Sequence, residues 1–164
     1  MRVPIELYRI DDRLIHGQVV VGWGQPLDVA FIVLVDDTVA ASDWEQDLYR
    51  MGTPPEMELF FESVTSAIAH LSTYQLRAER GIVLTADIES MCRLAEGAPG
   101  IARVNVGGIH HREGRAAKLR YVFLTADEEA RLQTLANRGI AVTAQDVPSA
   151  PPVSLTDVLA GAGL

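Results

Sequence analysis

Within six positions near the start of the chain stand two aspartates, an arginine and a histidine: Asp11-Asp12-Arg13-Leu14-Ile15-His16, followed by Gly17. A neutral imidazole is a competent nucleophile near neutral pH, because its unperturbed pKa is about 6.5. It can attack a phosphoryl group and become a phosphohistidine. Such a site needs a guanidinium fork for the phosphoryl oxygens, and Arg13 lies within one short loop of His16. It needs backbone N–H groups around the same oxygens, and the turn Leu14-Ile15-His16-Gly17, opening a helix, can offer them. It also needs a carboxylate to orient one ring nitrogen, and Asp11 or Asp12 could do so. A plainer alternative stays open. Asp-Asp-Arg after a strand is often a solvated turn whose local ion pair contributes about 0–1 kcal/mol.

The other reactive side chains are less suggestive. His70 falls in a predicted helix and reads as a surface or half-buried residue. His110 and His111 follow Gly107-Gly108 and precede Arg112. With His16 and an aspartate they could be assembled into a metal site, but no HExxH-like spacing is present and no metal or other cofactor is expected. There is no G-x-S-x-G nucleophile elbow. Cys92, the single cysteine, falls inside a predicted helix and reads as a packed thiol.

The elements that must position these residues alternate between two periodicities. Val3–Ile10 reads as a strand, and Leu14–Trp23 as a helix weakened by its valines and glycines. Phe31–Val35 is a continuous apolar run ending in Asp36-Asp37, as expected of a strand covered on both faces. Ser42-Asp43-Trp44-Glu45 has the pattern of a capping box and predicts a helix to about Met51, stopped by Gly52-Thr53-Pro54-Pro55. Met57–Phe61 reads as a strand, Ser63 as the cap of a helix over Val64–Leu71, and Ile82–Leu84 as a buried strand. Asp87 caps a helix to about Ala95. Ile101–Val106 is a strand, Tyr121–Leu124 an apolar run, and Thr125-Ala126-Asp127-Glu128 opens a helix that Gly139 closes. Ile140–Ala144 is a further strand, and Ser154 caps a short final helix. This alternation predicts an α/β fold: one open, doubly wound domain over residues 1–164, with a mostly parallel central sheet and helices on both faces. Ligands in such folds sit beyond the carboxyl ends of the strands, which selects the loops beginning at Asp11, Asp36 and Gly107.

The chain has 164 residues, 48% of them apolar and 22% charged, enough to build a core without disulfide or metal. It contains no apolar run of membrane-spanning length, and Met1-Arg2-Val3-Pro4 followed by Glu6 has the pattern of neither a signal nor a transit peptide. The net charge of −8 argues against nucleic-acid binding. Charge is unevenly distributed. Residues 103–120 carry four basic charges in excess, whereas residues 21–70 hold one arginine against nine acids. Arg112 and Arg115 are therefore candidates for docking a partner of opposite sign, with a solvated helix face as the alternative.

Tyr8-Arg9-Ile10-Asp11-Asp12-Arg13-Leu14-Ile15-His16-Gly17-Gln18-Val19 resembles the signature of the enzyme IIB components of the mannose/fructose/sorbose family of the bacterial sugar phosphotransferase system. The run from Phe31 to Ala40, Met51-Gly52-Thr53-Pro54-Pro55, and Asn105 to Gly114 are similar to further segments of that family. The tail after Pro148 does not match, and His111 stands where an aromatic is common. The resemblance implies an open α/β domain and names His16 as the residue that takes a phosphoryl group, at Nδ1, from a phosphohistidine of the IIA component. His16 would pass it to a hexose carried by the membrane-embedded IIC and IID components. Arg13 would hold phosphoryl oxygens and Asp11 would position the loop or the ring. The resemblance further implies a cytoplasmic protein, peripherally associated with the membrane through the transporter and needing neither ATP nor magnesium at this step. Whether it forms homo-oligomers is left open. A regulatory protein phosphorylated on the same histidine, without a sugar acceptor, is the alternative function.

Overall fold

The structure, a computed structural model, describes residues 5–161; the predicted strand start at Val3 lies outside them. The elements are β1 (Ile5–Ile10), a π-helical segment (Gln18–Gly24), β2 (Val29–Val35), α1 (Asp37–Ala40), α2 (Asp43–Met51), β3 (Glu58–Glu62), α3 (Val64–Gln75), β4 (Arg80–Thr85), α4 (Ile88–Gly97), β5 (Arg103–Val106), β6 (Ala116–Leu119), β7 (Val122–Leu124), α5 (Ala126–Asn137), β8 (Ala141–Ala144), β9 (Val153–Ser154) and α6 (Leu155–Ala160).

Seven strands form one sheet in the order β3-β2-β4-β1-β5-β8-β9. All pairings are parallel except that of β9 with β8. Strand β1 is central. The chain leaves it toward β2 on one side and, after β4, crosses to β5 on the other, so the order reverses across β1. The crevice at such a reversal, beyond the carboxyl ends, is where open α/β sheets take ligands.

The alternation of side chains divides the core in two. Phe31, Val33 and Val35 of β2 point into one apolar cluster with α3, α4 and α5, whereas Ile32 and Leu34 point into the other, with Val19, Val20 and Trp23 of the π-helical segment and Val39 of α1. Both faces are therefore covered, as the continuous apolar runs in the strands require. Side chains cap the helices at Ser42, Ser63, Asp87, Thr125 and Ser154, each accepting from an amide three residues on. Helix α5 has the full reciprocal capping box and ends at Gly139, whose φ of 89° allows Ile140 N–H to reach the Leu135 carbonyl.

Three features depart from the expectation. The helix predicted over Leu14–Trp23 begins only at Gln18 and winds as a π-helix. Its run of valines and its glycines are weak α-formers, and Leu14 sits at φ 58°, a conformation no α-helix contains. Helix α3 runs to Gln75, a turn past the predicted Leu71, and buries Tyr74. The hairpin strand β6 lacks the β-branched residues that would announce it.

Candidate functional site

Strand β1 delivers Asp11 to the carboxyl edge between its two neighbours. Asp11 N–H donates to the Thr85 carbonyl at the end of β4 (2.9 Å), and Asp12 N–H to the Gly108 carbonyl after β5 (2.9 Å). The first loop is thus tied to both flanking strands.

The Asp11 carboxylate is fully buried and is the hub of the site. Its Oδ1 accepts from the Arg13 backbone N–H and from Arg13 Nε, both at 3.1 Å. Its Oδ2 lies 3.1 Å from Arg13 Nη2, 3.2 Å from Arg9 Nη2 and 3.4 Å from His16 Nε2. Burial by itself would raise the Asp11 pKa. The nearby His16 ring, the hydrogen bonds from Arg13 and the charge of Arg9 outweigh it and hold the carboxyl well below the usual carboxylate range. Asp11 is therefore a buried anion that binds the Arg13 guanidinium and faces the imidazole. The ring nitrogen of His16 that does not face it is Nδ1, and the side chain is 19% exposed.

Beneath this carboxylate lies Arg9, fully buried within the sheet. Nη1 donates to Asn105 Oδ1 and, at 2.9 Å, to the Gln145 carbonyl; Nη2 donates to Asp11 and, at 3.2 Å, to the Asp146 carbonyl. The guanidinium carbon stands 4.7 Å from the Trp23 ring centre, and Trp23 Nε1 donates to the same Asp146 carbonyl. Arg9 thereby links the ends of β1, β5 and β8. Gly107 is required for this arrangement: a Cβ there would come within 2.3 Å of Arg9 Nη2. Burial lowers the Arg9 pKa and Asp11 opposes it, so the pair is mutually dependent.

The expected residues separate into groups. His16, Arg13 and Asp11 come together as the spacing suggested. Of the two aspartates weighed for the imidazole, Asp11 faces it, whereas Asp12 turns to His110, accepting from its backbone N–H (2.7 Å) and pairing with its Nδ1 (2.6 Å). Leu14 does not cradle an anion: its N–H donates to the Asp11 carbonyl (3.0 Å), closing the turn that its positive φ permits. Ile15 and Gly17 flank His16, ahead of the π-helical segment, and the His16 carbonyl accepts from Val20 N–H.

Arg115, expected as a docking residue, is engaged within the fold. Its guanidinium forms a fork with Glu128 (2.9 and 2.7 Å), its Nη1 donates to the His110 carbonyl, and its side chain is 6% exposed. It braces the loop after β5. Arg112 is exposed. The loop at Asp36 carries no reactive cluster: Asp36 caps α1, and Asp37 accepts from Val64 N–H and pairs with Arg93. Burial pushes the Cys92 thiol up to about 11, which suits a packed side chain. His70 is an exposed partner of Glu62. Among the described residues no group of three or more His, Cys, Asp or Glu side chains converges as metal ligands.

Reading the sequence missed Arg9, Asn105, Trp23, Gln145 and Asp146. A signal existed for two of these regions. Arg9 is a charge inside a strand whose neighbours read as buried, a placement that demands partners. Gln145-Asp146 follows a strand at the same carboxyl edge. A cleft of about 570 Å³ lined by Leu7, Arg103, Asn105, Thr143 and Gln145 approaches the network from behind; His16, Arg13 and Asp11 are not among its walls.

Fold and site define an open α/β protein with a buried aspartate organising a histidine and an arginine at the reversal point of its sheet. The family described as the PTS system sorbose subfamily IIB component matches residues 5–164, and the chain belongs to that family. It is 29% identical to the sorbose-specific EIIB component of Lacticaseibacillus casei, over 95% of this chain and 93% of that protein. It is 32% identical, over 94% of its length, to the mannose-specific EIIAB component of Escherichia coli K12, but spans only about half (48%) of that longer relative. The crystal structure of the IIBSor domain of the sorbose permease from Klebsiella pneumoniae superposes with a TM-score of 0.86 at 28% identity, covering 95% of this chain and 96% of the other.

Proposed function

We propose that this chain is a phosphocarrier of sugar uptake, in which His16 accepts a phosphoryl group from a phosphohistidine of a IIA component and passes it to a hexose at membrane-embedded IIC and IID components. The single observation that carries the reading is the approach of the Asp11 carboxylate to 3.4 Å from His16 Nε2, which leaves Nδ1 as the ring nitrogen facing away. A neutral imidazole with its proton on Nε2, directed at a permanent anion, has its lone pair on Nδ1. That lone pair forms the new N–P bond as the bond between phosphorus and the donor histidine breaks. The ring then carries positive charge next to Asp11, where it is stabilised.

Arg13 is the cation for the phosphoryl oxygens. Asp11 fixes its plane through Nε and Nη2, so the guanidinium needs little reorganisation in the loose transition state. The amides of Ile15 and Gly17 are candidates for the remaining oxygens. The donor's P–N bond supplies the free energy, so the step proposed here uses neither ATP nor magnesium. The protein acts at the cytoplasmic face, between soluble donor and membrane acceptor. Arg112, exposed in the basic stretch beside the loop after β5, is the candidate to meet the donor.

The test is incubation with phosphoenolpyruvate, the general phosphotransferase proteins and a cognate IIA component. Wild type should gain an acid-labile, alkali-stable phosphate that His16→Ala lacks, and should lose it to a hexose when IIC and IID are added. Label persisting in His16→Ala overturns the assignment. Label that no hexose removes would replace the transport role with a regulatory one.

A further inference from the structure

Helix α2 is mounted with its apolar side outward. Trp44, Leu48 and Met51 stand at i, i+4 and i+7, one stripe along the helix. They are 71%, 48% and 81% exposed, and no residue of α2 is buried. The helix is anchored by its other side. The Tyr49 ring lies 6.4 Å from Phe61 of β3, Arg50 sits 5.0 Å over the same ring, and Gln46 Nε2 donates to the Val39 and Ala40 carbonyls. A single exposed apolar residue such as Leu76 requires no explanation, but three aligned on one helix mark an interaction surface.

The surroundings specify what fits. Residues 36–62 hold eight acids and one arginine, Arg50, which pairs with Asp47. The partner must offer an apolar hollow rimmed by Lys and Arg. A second copy of this chain is a poor match: in its basic stretch Arg115 is committed to Glu128 and Lys118 to Glu129, and the exposed Arg103, Arg112 and Arg120 belong to a chain whose net charge is −8. An anionic lipid surface would be repelled. Cytoplasmic loops of polytopic membrane proteins carry an excess of Lys and Arg and have the required sign. Position agrees. Helix α2 rests on β3, three strand spacings from β1, or about 14 Å, so an occupant there leaves the His16 loop open.

Resting on the carrier function proposed above, we infer that the Trp44–Leu48–Met51 stripe is the face by which this protein docks on the basic cytoplasmic surface of its membrane-embedded partner, while His16 remains available for transfer.

The experiment compares sedimentation of the protein with vesicles containing IIC and IID and with vesicles of the same lipids alone. A triple variant, Trp44→Ser with Leu48→Ser and Met51→Ser, removes the stripe, and Asp43→Lys with Asp47→Lys reverses its rim. Wild type should bind only the loaded vesicles, and more weakly as salt rises. The triple variant should bind at least about tenfold more weakly, the loss expected on truncating interface anchors. The charge-reversed protein should also bind more weakly, and both variants should be labelled on His16 by the soluble donor at the wild-type rate, which verifies their folding. Equal binding by the triple variant, or equal binding of wild type to empty vesicles, overturns the docking face. Loss of wild-type labelling would defeat the carrier reading itself and the docking inference with it, whereas normal labelling with unchanged binding defeats the docking face alone.

Discussion

Two strands of the sheet, one on each side of β4, end in the same pair of residues at the same edge, and the two pairs do opposite things. Asp11-Asp12 follows β1; Asp36-Asp37 follows β2. Asp11 is buried among Arg9, Arg13 and His16, which hold its pKa down. Burial raises the pKa of Asp36, one amide of α1 opposes it, and the negative charges of Asp87, Asp37 and Glu45 raise it further. The first aspartate gathers Arg9, Arg13 and His16 about itself; the second caps a four-residue helix. The difference lies in strand position. Strand β1 sits at the reversal point, where the ends of β5 and β8 bring Asn105, Gln145 and Asp146 to support a buried arginine. Strand β2 has β3 and β4 beside it and no cation below its terminal aspartate.

The sharpest way to break this contrast is to neutralise each aspartate in turn. Asp11→Asn removes the anion facing a fully buried Arg9 and should destabilise the fold by about 3–5 kcal/mol, the range for stripping one partner from a buried pair. Denaturant unfolding at neutral pH measures it. Asp36→Asn keeps a good cap and removes a disfavoured charge, so its effect should stay within about 0.5 kcal/mol. Equal losses would dissolve the distinction.

Catalysis should separate the roles of the two arginines. Arg13→Gln should slow donor-dependent phosphorylation by about 10²–10³-fold, as loss of a preorganised transition-state donor does, with modest change in stability. Gly107→Ala acts from below by pressing on Arg9. It should cost about 1–3 kcal/mol, the usual penalty of overpacking, read from the unfolding midpoint. A Gly107→Ala protein as stable as wild type would show that Arg9 has room to move.

Acid should drive the two aspartates in opposite directions. Asp11 has a depressed pKa in the folded state, so its stabilisation is complete above the unfolded value of about 3.9 and drains away as pH falls further. Asp36 has a raised pKa, so its protonation on acidification favours the fold. The gap in unfolding free energy between wild type and Asp11→Asn should thus hold constant from neutral pH to about pH 5 and narrow below about pH 4, whereas wild type should gain on Asp36→Asn over the same descent. A gap for Asp11→Asn that widens in acid contradicts the assigned sign.

How much of this was legible in the sequence follows from the distance between partners. Asp11, Arg13 and His16 lie within six positions, so their chemistry is local and could be read directly. The alternating elements, most caps and the open α/β sheet were equally local. Arg9 was not read because its partners Asn105, Gln145 and Asp146 are 96 to 137 positions away and meet it only through the sheet order. The positive φ of Leu14, which turns its amide back onto Asp11, has no sequence marker, since leucine rarely adopts it. Arg115 looked available because charge counts along a chain do not reveal that Glu128, on a later helix, closes a fork around it.

Nitrogen-15 NMR of the histidine-labelled, phosphorylated protein examines the core of the account most directly. Phosphorus is expected on Nδ1 of His16, with Nε2 protonated and facing Asp11. Phosphorus on Nε2, or on His110 or another histidine, would contradict it.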